Sequence, residues 1–264
     1  MTVCQLTELT WAELRAAADT SIALLPVGSQ EQHGGHLPLG TDRLLADAVV
    51  EQALSKLDPA GPHIVRLPTL PYGFSPHHAF AAAITVSAQT LIDILGEIVD
   101  SVVRCGFRRM MIVNGHGGND ESVRLAVKQA ALRHDIAIAA ANYWSVGDPG
   151  RSPGHAGAFE TSLMLAVDPA LVRPPSWDNA PEPPPLFENP PYPGVLAERH
   201  GEWERVGGVT DDARGATAEA GEQLLAARAA ELAAAITAFD RATAESHGTA
   251  SPRADNAENA EKGH

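Results

Sequence analysis

The chain has 264 residues, 44% of them hydrophobic, and a formal net charge of -14 at pH 7. Its length suits one α/β domain or two small ones, because single hydrophobic cores stop growing near ~250–300 residues. The negative charge repels nucleic-acid phosphates and anionic lipid, so neither is an expected partner. A conventional membrane span is also excluded, because no run of about 18 apolar residues occurs.

Two features of the sequence indicate the cellular compartment in which the protein is expected. The N-terminal segment does not resemble a signal peptide, since it has no basic cluster before Arg15. Cys4 and Cys105 lie far apart without metal-type spacing, which argues against a disulfide framework. We therefore expect a cytoplasmic protein.

Short apolar runs alternate with segments of helical periodicity. Strands are predicted at 22–28, 64–70, 108–115 and 136–142, and helices at 43–57, 88–104, 121–134 and 217–244. A first helix begins after Thr10, which has Glu13 three residues on as its capping-box partner. The repeated order of strand, loop and helix predicts an α/β fold with a parallel sheet and helices on both faces. Ligand sites of such sheets lie beyond the carboxyl ends of the strands.

A single domain is predicted over residues 1–245. Within it, residues 173–193 are Pro-rich and predict an extended linker or an arm that crosses the surface. Residues 246–264 lack apolar content and are predicted to be disordered.

The first polar cluster follows the strand at 22–28. Glu31 and His33 can point into one cavity, because alternate residues of extended backbone share a face. Asp42 stands just before a predicted helix, where a lone Asp would be a simple N-cap. Next to the Glu-x-His pair, a role as metal ligand is the stronger alternative.

The second cluster is the sequence NGHGGND at 114–120, directly after a buried strand. Its glycines allow a sharp turn and a close approach to a bound group. One interpretation is a phosphate-binding loop at a helix N-terminus, which usually carries Lys, Ser or Thr. The presence of His116 with Asn and Asp side chains favours metal or proton chemistry instead.

The third cluster, HAGAFETS at 155–162, precedes an apolar stretch. Seen alone, Glu160 could be a first-turn acid that the helix dipole favours. Together the three clusters supply carboxylates and imidazoles without thiolates. Such ligands suit Zn²⁺, Mn²⁺ or Fe²⁺ in a catalytic site, and carboxylates can bridge two ions about 3.5–4 Å apart.

These motifs resemble the three signatures of the creatininase family of amidohydrolases: PVGSQEQHGGHLPLGTD, NGHGGN and HAGAFETSLMLA. The segments LTELTWAEL, NYW at 142–144 and GGVTDDARGATAEAGEQLL are similar too, so the resemblance runs from about residue 5 to 240. It implies a three-layer αβα sandwich with a mostly parallel sheet and two divalent metal ions (Zn, Mn or Fe) per chain. The implied reaction is metal-dependent hydrolysis of a non-peptide C–N bond, often in a cyclic amide.

The resemblance also assigns the metal ligands. Glu31, Asp42 and His116 match the ligands of one ion, and His33 with the bridging Asp42 matches those of the other. In creatininase a Glu follows two positions after the motif's His, but this chain has Gly118 there. The ligand role is therefore assigned to Glu160.

Other residues are assigned to the reaction. His155 matches the acid/base of the family, and His116 and Glu160 are counted with it as catalytic. Trp144 matches an aromatic residue that closes over the substrate, and a second such Trp has no counterpart in the sequence. His78 and Tyr72, both on the loop PYGFSPHHAF, are assigned to substrate binding, and the usual motif F-P-G-T after that loop reads FAAA at 80–83.

The implied substrate is a small amide, as in creatinine hydrolysis. The family also includes a formamide deformylase, a peptidase of a modified precursor peptide and a cyclic ketone C–C hydrolase, which are the alternatives for this site. A homo-oligomer is expected, with a hexamer favoured. The apolar helix after 217 and the Pro-rich arm are its candidate contacts.

Overall fold

The computed structural model describes residues 3–149, 152–173 and 183–244. A single sheet contains five strands in the order β1-β3-β2-β4-β5, and every neighbouring pair is parallel. The strands are β1 (Val3–Gln5), β2 (Ser21–Val27), β3 (His63–Arg66), β4 (Arg109–Asn114) and β5 (Ala137–Asn142). The parallel pairing of all neighbouring strands confirms the prediction of an α/β fold with a mostly parallel sheet.

Seven α-helices surround the sheet in the described part of the chain. They are α1 (Trp11–Ala18), α2 (Thr41–Ser55), α3 (Ala88–Cys105), α4 (Asp120–Arg133), α5 (Ala158–Val167), the single turn α6 (Glu202–Arg205) and α7 (Ala218–Ala244). The predicted capping box opens α1: Glu13 N–H donates to the Thr10 hydroxyl, and Thr10 N–H donates to the Glu13 carboxylate at 2.8 Å.

The helices form a layer on each face of the sheet. Helices α2, α5 and α7 pack together over one hydrophobic core, and α1, α3 and α4 over the other. The two central strands, β2 and β4, are buried along their whole length because both of their faces are covered. The three-layer αβα architecture is therefore confirmed.

Most boundaries shift by only one or two residues, and two differences have a clear physical reason. Strand β3 ends at Arg66 rather than at residue 70, because Pro68 has no N–H to donate to the ladder. Helix α2 begins at Thr41 with Gly40 at the N-cap, so Asp42 lies within the first turn and is not the cap. The short edge strand β1 was not predicted.

The two candidate contacts for assembly have different environments. Helix α7 packs against α2 and α5, so much of its apolar face is used within the chain. Residues 183–193 of the Pro-rich arm contain turns without helix or strand. Residues 174–182 of that arm and the predicted disordered tail lie outside the described residues. Among the described helices, none has the length and apolarity needed to cross a membrane.

Candidate metal centre

The three polar clusters meet beyond the carboxyl ends of the central strands. The loop after β2 carries Glu31 and His33, and the loop after β4 carries His116. Asp42 comes from the first turn of α2, and Glu160 from the first turn of α5. All five side chains are buried, with at most 5% exposure. The residues that the sequence singled out as metal ligands therefore form one cluster.

Local backbone features bring these loops together. Gly115 allows the loop after β4 to press against α2, since a Cβ there would lie 2.7 Å from the Asp42 carbonyl oxygen. This approach sets His116 beside the Asp42 carboxylate. Ala156 has a left-handed φ of 56°, and its N–H donates to the Glu160 carboxylate at 2.7 Å. A non-glycine residue in this conformation is strained, and such strain is concentrated at functional sites.

Asp42 lies at the centre of the cluster. Its Oδ1 is 3.0 Å from His33 Nε2, and its Oδ2 is 3.1 Å from His116 Nδ1. On the outer sides, Glu31 Oε2 is 3.2 Å from His116 Nε2, and Glu160 Oε1 is 3.9 Å from His33 Nε2. One carboxylate thus links two groups, each of which pairs an imidazole with another carboxylate.

Several oxygens of this cluster have no hydrogen bond from the described residues. These are both carboxylate oxygens of Glu31 and Oδ2 of Asp42, and all are fully buried. A buried carboxylate without a hydrogen bond is costly unless a cation neutralises it. The ligand atoms of His33, Asp42 and Glu160 also lie within 4.8 Å of one another. The donor set and the unbonded oxygens fit divalent metal ions of the Zn²⁺, Mn²⁺ or Fe²⁺ type.

Burial and charge shift the pKa values of these groups in a consistent way. Burial raises the pKa values of Glu31 and Glu160 to about 7. Burial opposes protonation of His33 and His116, but the neighbouring carboxylates outweigh it and raise their pKa values to about 10 and about 9. The same two imidazoles hold the pKa of Asp42 well below its usual range against the effect of burial. Protons thus compensate the carboxylates where divalent ions could do so.

Gln32 orients two further histidines at the cluster. Its amide is fixed because Gly34 N–H donates to Oε1 at 2.9 Å and Nε2 donates to the Gly208 carbonyl at 2.9 Å. The same Nε2 donates to His78 Nδ1 at 2.8 Å, so His78 carries its proton on Nε2. That N–H faces Glu31 Oε1 at 3.4 Å.

His155 has the opposite orientation. Its Nε2–H donates to the backbone carbonyl of Gln32 at 2.8 Å, which leaves the lone pair on Nδ1. Nδ1 lies 3.6 Å from Glu31 Oε1, and the backbone N–H of His155 donates to the Thr210 hydroxyl at 2.8 Å. Burial keeps the pKa of His155 well below its ordinary value, so the ring is neutral near pH 7 and Nδ1 carries a lone pair.

A cleft of about 870 Å³ opens onto the cluster. Asp42, His116, His155 and Glu160 line its floor. Its walls include the following residues: His77, His78, Phe80, Trp144, Phe187, Trp203 and Thr210.

The predicted substrate contacts fall into two groups. Trp144 and His78 line the cleft, and Trp144 also packs into the core next to Tyr143. Tyr72 is 46% exposed and is not among the cleft residues, so the structure does not bring it to the site.

Trp203 is a cleft residue that the sequence did not indicate. It lies on the single turn α6, stacks on Phe187 at a centroid distance of 4.3 Å, and contacts His78 edge-on at 4.7 Å. The cleft therefore has a second tryptophan, from a segment outside the three motifs. A Trp in the polar stretch HGEWER is the one signal that could have indicated it.

Fold and site together define an α/β protein with a buried carboxylate–imidazole centre at the carboxyl edge of a parallel sheet. The family profile described as creatininase, creatinine amidohydrolase, matches residues 7–236. The chain therefore belongs to the creatininase family of hydrolases.

Relatives in the family differ in their described activities. A mycofactocin precursor peptide peptidase of Mycobacterium ulcerans is 39% identical over 154 residues, which is 56% of this chain and 59% of that protein. The creatinine amidohydrolase of Pseudomonas putida is 32% identical over 194 residues, or 62% of this chain and 72% of that protein.

The solved structures that resemble this chain include members of the same family. A crystal structure of creatininase has a TM-score of 0.70 at 31% identity and covers 89% of this chain and 97% of its own. Other matching creatininase structures are described as a Mn form and as a Zn-Zn type.

Proposed function

We propose that this protein is a metal-dependent amidohydrolase that cleaves a C–N bond, with a cyclic amide as the first candidate substrate. The observation that carries the proposal is the buried cluster of three carboxylates and two imidazoles, in which oxygens of Glu31 and Asp42 lack hydrogen bonds. The membership in a hydrolase family supports the same reaction class.

The proposed ligands divide into two sets around Asp42. Glu31, Asp42 and His116 would hold one divalent ion, and His33, Asp42 and Glu160 the other. The contacts of Asp42 with both imidazoles support its bridging role. When bound, two such ions polarise a carbonyl group and lower the pKa of water. Zn²⁺, Mn²⁺ and Fe²⁺ are the candidates from the chemistry of the donors.

His155 is the proposed group for proton transfer. Its neutral Nδ1 faces the buried centre and accepts a proton from the attacking water. The same nitrogen then delivers that proton to the leaving nitrogen of the amide, which separates as an amine while the carbonyl carbon keeps the hydroxyl. The bond from Nε2–H to the Gln32 carbonyl supports this role, because it fixes the tautomer and the direction of the ring.

The cleft residues would bind and shield the substrate. His78 points its Nε2–H into the centre and can donate a hydrogen bond to a substrate oxygen. Trp144 and Trp203 line the cleft and offer aromatic surface to a flat ring. Their side chains would also limit the access of bulk water to the substrate. These are the proposed contacts for a planar cyclic amide.

The size of the cleft favours a second candidate substrate. Its volume of about 870 Å³ lies near the upper end of the ~300–1,000 Å³ that small-molecule sites occupy, so it is large for one five-membered ring. A short peptide with the same amide chemistry would fill more of it, and relatives described as peptide peptidases are consistent with this candidate.

Metal removal tests the reaction class, and a matched pair of substrates tests the candidates. The protein is treated with a chelator. The hydrolysis of creatinine, and of an amide bond near the C-terminus of a short peptide, is then measured before and after addition of Zn²⁺ or Mn²⁺. We expect activity to disappear with the metal and to return with it. Full activity of the metal-free protein would refute the proposal.

A further inference from the structure

His77 lies near Glu31 and His116, outside the ligand sets described above. One ligand atom from each of these three residues lies within 4.8 Å of the other two. The rings of His77 and His116 are stacked, with centroids 5.9 Å apart and planes 7° apart. His77 belongs to the 3-10 turn Pro76–His78, so its ring arrives from a different loop than His116. The trio has the mixed oxygen and nitrogen donors of a catalytic metal site.

Gly118 explains why the space beside His116 is open to this ring. A Cβ at position 118 would lie 2.5 Å from His116 Nε2 and 2.5 Å from the Phe74 carbonyl oxygen. It would also lie 3.0 Å from Cε1 of His77. A side chain at 118 therefore cannot be added without displacing its neighbours, and the ring of His77 borders the volume that it would enter.

The neighbouring His78 does not offer the same chemistry. The Gln32 amide donates to its Nδ1, so the nitrogen that faces Glu31 carries a proton and has no lone pair to give. The described hydrogen bonds place no such constraint on His77, whose ring rests against Trp203 at a centroid distance of 4.9 Å.

We infer that His77 is a metal ligand and completes the coordination of the ion held by Glu31 and His116. The inference rests on the proposed function, because it presupposes that an ion binds there. His77 would thereby be a fourth ligand of that ion, beside Glu31, Asp42 and His116, and its ring borders the space that Gly118 leaves open. The coordination of this ion then combines residues from the loops after β2, β3 and β4.

The test is metal content in a matched pair of variants, His77→Asn and His78→Asn. Both change an adjacent histidine of the same turn to the same residue. After loading with Zn²⁺ and dialysis, the ions per chain are counted by mass spectrometry. We expect His77→Asn to lose one ion relative to the unchanged protein, and His78→Asn to keep the full number. In Co²⁺-loaded protein, the visible absorption should change in His77→Asn alone.

A third variant separates ligand loss from disruption of the turn. His77→Asp returns a metal-binding group to the position and should recover the lost ion. Retention of all ions by His77→Asn would overturn the inference, as would equal loss in both asparagine variants. An unchanged protein that binds no Zn²⁺ at all would instead refute the proposed function, so the two failures are distinguishable.

Discussion

Replacement of His155 by alanine separates proton transfer from metal binding. His155 is 7% exposed, its Nε2–H donates to the backbone carbonyl of Gln32, and its Nδ1 faces Glu31 in the metal-ligand cluster. His78, the other imidazole on Gln32, presents an N–H and cannot accept the proton. Without a substitute base, we expect turnover to fall by about 10²–10⁴, which is about 2.7–5.4 kcal/mol of transition-state stabilisation. The shielded position favours the upper half of that range.

The assay compares turnover and metal content in the same preparations. His155→Ala should keep its metal ions while it loses turnover, and His155→Asn should behave alike because it has no proton acceptor of comparable basicity. His63→Ala is the control, since His63 is an exposed histidine at the start of β3. Near-full turnover in His155→Ala would refute the role in proton transfer, and loss of an ion would make His155 a ligand.

Three further predictions concern the ligands, pH and assembly. Glu160→Gln should lose one ion and most activity, because an amide is a poorer ligand than a carboxylate; normal metal content would reduce Glu160 to a first-turn acid. The apparent affinity for Zn²⁺ should rise with pH up to about 10, because the pKa values of His33 and His116 are raised to about 10 and about 9 and both must release protons before they bind metal. Titrations at fixed free Zn²⁺ that show no pH dependence would contradict this. The chain should sediment as an oligomer, with a hexamer favoured, and serine at the exposed Tyr192 of the arm should weaken it. A monomer at micromolar concentration would contradict the prediction.

Much of the fold can be predicted from the sequence, because the hydrophobic periodicity of a helix or strand and the polar residues that follow a strand are local features of the chain. The apolar run before Glu31 and the run before His116 each indicate a buried strand, and parallel strands bring their carboxyl ends to one edge. The boundary of α2 was harder to predict, since an acid near a helix start fits both an N-cap and the first turn. In the structure Gly40 takes the cap, and Asp42 is left to face the centre.

The rest of the site depends on contacts between distant segments. Trp203 lies on a single helical turn that has too few residues to show periodicity, and its place beside His78 follows from the path of the whole chain. Tyr72 shows the opposite case, because a loop that approaches the site need not direct every side chain into it. The proton positions on His78 and His155 follow from their hydrogen bonds to the side-chain amide and to the backbone carbonyl of Gln32, respectively, and no local pattern encodes these contacts.

Gln32 orients two histidines with two different groups, its side-chain amide and its backbone carbonyl. It lies between Glu31 and His33 in the chain, and its side-chain amide and its backbone carbonyl hold His78 and His155 in different tautomers. An exchange of its amide for a carboxylate would replace a donor by an acceptor and turn the lone pair of His78 towards Glu31. The centre would then have two proton acceptors and would lack the donor that His78 now provides. Variation at this position could therefore alter the kind of bond that the centre attacks while every metal ligand stayed the same.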